Sequence, residues 1–104
     1  MTLAQTEKLT NFVNRIIIRT NHETGGYYSY FGYKEKQYYA SIAFLKAIGP
    51  EIAIFPACDD YVTSWDAIYC KHPLEVDKKV LREHIFKFLE SIHDNIQIKH
   101  RIKK

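Results

Sequence analysis

A chain of 104 residues, 46% hydrophobic and 26% charged, has the length and balance of one domain with a modest core of its own. It holds no apolar run of about 18 residues that could span a membrane, and Met1–Gln5 lack the basic and apolar regions of an export signal. Two cysteines make no disulfide framework, so a reducing, cytoplasmic setting is the expectation. The net charge of +3 is uneven: residues 1–70 hold six Lys/Arg against seven Asp/Glu, and residues 71–104 hold nine against five. Positive charge gathering toward the C-terminal end hints at an anionic partner.

In chain order, Thr2 and Gln5 fit a capping box, in which each side chain satisfies a backbone donor at the start of a helix. Leu9, Phe12, Val13, Ile16 and Ile17 recur at three- and four-residue steps and predict a helix near 3–20. Gly25-Gly26 marks a turn. The aromatic run Tyr27–Tyr33 predicts a strand, with Tyr28 and Tyr30 on one face and Tyr27, Phe31 and Tyr33 on the other. Lys34-Glu35-Lys36 is short and polar enough to close a hairpin into Gln37–Leu45. Tyr38, Ile42, Leu45 and Ile48 also fit a helical stripe, so residues 37–48 stay open between strand and helix, with strand preferred.

Glu51–Phe55 reads as a short strand that ends at Pro56 or lies at a sheet edge. Tyr61–Cys70 reads as a further strand, though Tyr61, Trp65 and Ile68 could equally be a helical stripe. Asp77 is the expected N-cap of a second helix, with Val76 and Leu81 as its hydrophobic staple. Leu81, Ile85, Phe88 and Ile92 are its buried stripe, and it should end near His93–Asn95. Ile96–Lys104 could be an edge strand or a disordered basic tail. The expected fold is therefore α+β, with a domain over 1–98 and a basic tail over 99–104. An antiparallel sheet of about four strands would lie between an N-terminal helix and a C-terminal helix packed on one sheet face.

Phe31-Gly32-Tyr33-Lys34-Glu35-Lys36, the apolar run Tyr38–Phe44 and the ending Ile52-Ala53-Ile54-Phe55-Pro56 together resemble the YdhG-like uncharacterised domains. The resemblance spans roughly residues 27–94 and implies a frataxin-like arrangement of helix, sheet and helix. Some relatives are described as iron-handling. Frataxin-type sites use a crowded acidic ridge on the first helix, whereas Glu7 is the only acid in residues 2–20, so the layout carries over and the activity does not.

Cys58, Cys70 and His72, with His22 as a fourth donor, are candidate zinc ligands by type, but their spacing matches no standard knuckle or ribbon. No cofactor is expected. Glu90-x-x-His93 has the spacing used in di-iron bundles, which need a second such pair and two more glutamates. Asp59 and Asp60 suit a turn better than a proton-sharing dyad. No serine lies in a nucleophile elbow, and Gly25-Gly26 is no phosphate loop.

These exclusions favour a non-enzymatic binding protein that regulates or inhibits a macromolecular partner by occupying it. A phage or mobile-element protein that blocks a host or defence complex would fit. The expected contact residues are Tyr28, Tyr30, Tyr38 and Tyr39, with Lys34 and Lys36 at the hairpin tip, and a protein is the expected partner. The alternative is nucleic-acid binding, through stacking on the sheet tyrosines and through Lys99, Arg101, Lys103 and Lys104. A small metal-handling protein is the third reading.

Overall fold

The computed structural model describes the backbone of residues 2–102 and the side chains of residues 2–93. Helix α1 covers Leu3–Arg15. Its capping box forms: the Gln5 N–H donates to Thr2 Oγ1 (3.2 Å), and the Thr2 N–H donates to Gln5 Oε1 (2.9 Å). The helix stops five residues before the expected end, with Ile16 in extended conformation at its C-cap. Ile16-Ile17-Ile18 is a run of β-branched side chains, which lose rotamer freedom in a helix and fit extended backbone. It alternates accordingly: Ile16 and Ile18 are buried, and Ile17 is 70% exposed.

The sheet has six strands rather than about four: β1 (Arg19–Thr20), β2 (Tyr27–Tyr33), β3 (Lys36–Leu45), β4 (Gly49–Cys58), β5 (Tyr61–Val62) and β6 (Tyr69–Lys71). All pairings are antiparallel. The order is β1-β2-β3-β4-β5, and β6 also pairs with β4. Residues 37–45 are thus strand and not helix. The single strand expected over Tyr61–Cys70 is instead two short ones, parted by a loop in which Ser64 Oγ accepts from the Asp66 N–H at 3.1 Å. Trp65 stands 85% exposed on that loop.

Two hairpins close through two-residue turns. Lys34 and Glu35 (φ +49° and +67°) link the paired Tyr33 and Lys36, and Asp59 and Asp60 (+47° and +62°) link the paired Cys58 and Tyr61. Positive φ at both central residues matches the twist of the flanking strands but costs an L-residue roughly 1–2 kcal/mol, with Asn and Asp the better tolerated. Glu35→Gly should therefore raise stability by about 0.5–1 kcal/mol, once the extra freedom of glycine in the unfolded chain is discounted. A urea midpoint that fails to rise would show that the Glu35 side chain contributes more than its backbone strain costs.

Helix α2 covers Lys78–Ile102. Asp77 caps it as expected, its Oδ1 accepting from the Val80 N–H at 2.8 Å. The helix passes the expected end at His93–Asn95, so the backbone of residues 96–102 is helical and not an edge strand. Lys103 and Lys104 lie outside the described residues.

Both helices cover the same sheet face. Leu9 and Val13 of α1 join Leu81, Ile85, Phe88 and Leu89 of α2 over Phe31, Tyr38, Ala40, Ile42, Ile52 and Ile54, while Phe12 and Ile92 pack at the margin. Full burial of each large aliphatic side chain contributes roughly 1.5–3 kcal/mol. Ser29 is the buried polar residue of this face, and its hydroxyl donates to the Ile17 carbonyl at 2.8 Å. Arg82 Nη2 donates to the Ile16 carbonyl at 2.9 Å and so ties α2 to the end of α1.

At the β6 margin, Tyr69 Oη and His84 Nδ1 lie within hydrogen-bond distance at 2.7 Å. Burial, then the charges of Lys87 and Lys71, push the His84 pKa down, against a smaller upward pull from Glu83. The folded state thus binds fewer protons at His84 than the unfolded chain does. Stability from this group is complete above the unfolded value of about 6.5 and is lost as pH falls through it toward the folded value. His84→Gln should flatten the fall in stability between pH 7.5 and pH 5.5, measured by urea unfolding. Parallel pH profiles for both proteins would remove His84 as a cause.

Candidate functional site: an aromatic strip on the open sheet face

With both helices on one side, the strand residues of opposite parity are left on the other. Tyr30, Tyr39 and Phe55 stand directly opposite one another across β2, β3 and β4. Their ring centroids are 4.7 Å (Tyr30–Tyr39) and 6.1 Å (Tyr39–Phe55) apart. Tyr28 adds a fourth ring, 6.3 Å from Tyr30 and 6.2 Å from Tyr39. Each pair is within the range where tilted and edge-to-face rings attract, by about 0.5–1.5 kcal/mol. All four residues remain half-buried, so the strip leaves part of its ring surface exposed.

The Tyr30 and Tyr39 phenols are held in the protonated form. Burial raises the Tyr39 pKa, with a further push from Tyr30, and burial raises that of Tyr30, followed by Asp60 and Tyr28. Neutral hydroxyls can both donate and accept. Beside the strip, Thr20, Asn21, His22 and Glu23 border an open polar groove of about 480 Å³ that reaches Tyr28, Tyr30 and Tyr39. Asn21 shapes this border: its Oδ1 accepts from the Glu23 N–H at 3.1 Å.

The six residues expected to form one contact surface divide between the two faces. Tyr28, Tyr30 and Tyr39 share the open face. Tyr38 does not: it is 7% exposed and packs edge-on against Phe88 at 5.2 Å. Adjacent strand residues point to opposite faces, so Tyr38 and Tyr39 cannot serve the same surface. Lys34 also leaves the tyrosines, its Nζ lying 3.2 Å from His93 Nδ1 on α2 and 5.5 Å from the Tyr33 ring centre. Lys36 pairs with Tyr33 and shares the parity of Tyr38, on the helix side. Phe55 is the member that sequence reasoning missed. Its place follows from the β3–β4 register, which no local pattern reveals. The side chains of Lys99 and Arg101, like Lys103 and Lys104 entirely, lie outside the described residues.

The four candidate zinc donors do not converge. Cys58 sits at the turn end of β4, where it pairs with Tyr61, whereas Cys70 pairs with Ala53 five residues back along that strand, about 17 Å at 3.4 Å per residue. His22 borders the tyrosine groove. Cys70 and His72 do come together, with Glu51 as a third member. Burial first, then Glu51, pushes the Cys70 thiol pKa up, which is the reverse of what an activated nucleophile needs.

No protein-family model matches the chain, and comparison with curated proteins and with solved structures likewise finds no match. The likeness to YdhG-like and frataxin-like domains rests on the residues quoted for it alone. Among the described residues, no helix is long and apolar enough to cross a membrane.

Proposed function

We propose that this chain is a non-enzymatic binding module that regulates or inhibits a protein partner by covering part of its surface. The observation that carries the reading is the half-exposed strip of Tyr28, Tyr30, Tyr39 and Phe55, left uncovered because both helices take the opposite face. Tyrosine supplies large, stiff, amphipathic contact area and is enriched at binding hot spots. A nucleic-acid strand would need cations beside the rings to meet its phosphates. Arg19, opposite Tyr28, is the basic strand residue of that face among the described residues, while Glu51 is there too and Asp60 is close enough to act on Tyr30. Lys34 and Lys36 stand on the helix side. This charge pattern favours a protein over nucleic acid.

The test compares capture from native cells by tagged wild type and by a Tyr28→Ser/Tyr39→Ser variant, with and without nuclease. A protein should be retained through nuclease treatment and lost with the variant. Affinity should fall by about 2 kcal/mol or more, or about thirtyfold, if these rings are hot spots. A melting curve for the variant checks that the fold persists. Undiminished capture by the folded variant would remove the strip as the contact, and capture abolished by nuclease would favour the nucleic-acid alternative.

A further inference from the structure

The pairing of β4 with β6 sets a second group of side chains on the open face. Ala53 stands opposite Cys70 and Ile52 opposite Lys71, so the next position in the register brings Glu51 to His72. Cys70 and His72 are two residues apart, the spacing that returns a strand to the same face. The result is a carboxylate, a thiol and an imidazole whose donor atoms all lie within 4.8 Å of one another. His72 Nε2 and Glu51 Oε2 are already 3.1 Å apart.

We propose that Glu51, Cys70 and His72 form a three-ligand surface site for a borderline divalent cation of the zinc class, with a fourth position open to water. The donor chemistry selects the class. Mixed oxygen, nitrogen and sulfur donors suit zinc, whereas calcium and magnesium take oxygen alone. The geometry is within reach. Bonds of about 2.0–2.3 Å in a tetrahedron put donors about 3.3–3.8 Å apart, so side chains at the sheet margin need to close by about 1 Å.

The charge also balances. A carboxylate and a thiolate neutralise a dication, the Cys70 proton leaving to solvent and His72 binding as the neutral imidazole. Cys70 lies on β6 and His72 directly follows that strand, and Glu51 lies on β4, the strand with which β6 pairs, so little chain ordering is needed to assemble the set. The core lies on the other face, packed by apolar side chains, so the fold does not depend on the ion.

The experiment titrates chelator-stripped protein with cobalt(II) chloride and then displaces cobalt with zinc chloride. Wild type should develop a thiolate-to-cobalt charge-transfer band at stoichiometric metal, bleached by zinc. Cys70→Ser should abolish the band. Loss of an outer-shell partner alone costs about 10–100-fold in metal affinity, so His72→Ala and Glu51→Gln should each weaken zinc binding at least about tenfold. Cys58→Ser, which changes the other exposed thiol, should bind as wild type does. Circular dichroism of each variant confirms that the sheet is intact. Absence of the band in wild type, its survival in Cys70→Ser, or its equal loss in Cys58→Ser would each overturn the site.

Discussion

Phe88→Ala is expected to destabilise the fold by about 3–5 kcal/mol, the range for removing a large aromatic from a packed interior. Phe88 is 4% exposed and stands where α2 meets the sheet. Its ring meets Tyr38 edge-on at 5.2 Å and Tyr69 at 5.9 Å, so one truncation strips two aromatic contacts and opens a void between β3, β6 and α2. Against a total of about 5–15 kcal/mol for a domain, the loss is a large share. The thermal midpoint should drop by at least about 12 °C, reckoned at about 4–8 °C per kcal/mol for a domain near this size. An unchanged melting curve would mean that α2 docks through another face.

Gly26→Ala should cost about 3 kcal/mol, the upper end of the range of about 1–3 kcal/mol for forcing extra atoms into filled space. A Cβ at Gly26 would fall on the carbonyl oxygen of Ile42. That oxygen belongs to the backbone of β3, which is paired on both sides, to Tyr27 and to Ile52, and has no rotamer by which to yield. The start of β2 must move instead, which endangers the 2.8 Å bond from the Asn21 N–H to the Gly26 carbonyl and the pairing of β1. Gly25 supplies the control. It has open space around its Cβ position but a φ of +75°, so Gly25→Ala should cost only the conformational term of about 1–2 kcal/mol. Denaturant midpoints falling further for Gly25→Ala than for Gly26→Ala would show that the crowding at Ile42 is relieved more cheaply than the strand pairing suggests.

Much of the architecture was legible because local chemistry and tertiary packing agree. Thr2 with Gln5 and Asp77 before Val80 announce the starts of both helices, and the capping bonds form. Tyr27–Tyr33 and Gln37–Leu45 read as a hairpin and pair as one. The reading fails where two periods overlap. Ile16 and Ile17 continue the helical steps of Leu9, Phe12 and Val13, yet with Ile18 they also satisfy strand alternation, and the pairing of Arg19 with Tyr28 decides for the extended form. Tyr61–Cys70 has the alternation of a strand, but β4 offers partners at Cys58 and at Ile54 and a loop between.

The candidate site was half legible for a related reason. Alternation places Tyr28 with Tyr30 from sequence alone, and the same rule forbids Tyr38 from joining Tyr39. Phe55, and the meeting of Glu51 with His72 across 21 positions of sequence, depend on register between strands, which is a property of the sheet and not of any segment.

The placement of both helices on one sheet face has a consequence for biosynthesis. All six described strands precede α2 in the chain, and Leu81, Ile85, Phe88 and Leu89 all come from that helix. The nascent meander of β2, β3 and β4 can therefore zip as its turns emerge, since antiparallel neighbours close short loops at small entropic cost. Ile42, Ile52 and Ile54 nevertheless remain without half of their cover until residues near Leu89 have cleared the ribosome tunnel. Until α2 has emerged, the nascent sheet therefore has an apolar flank exposed. A ribosome stalled before Leu81 would carry a chain that chaperones should recognise, whereas one that has extruded α2 would carry a covered sheet.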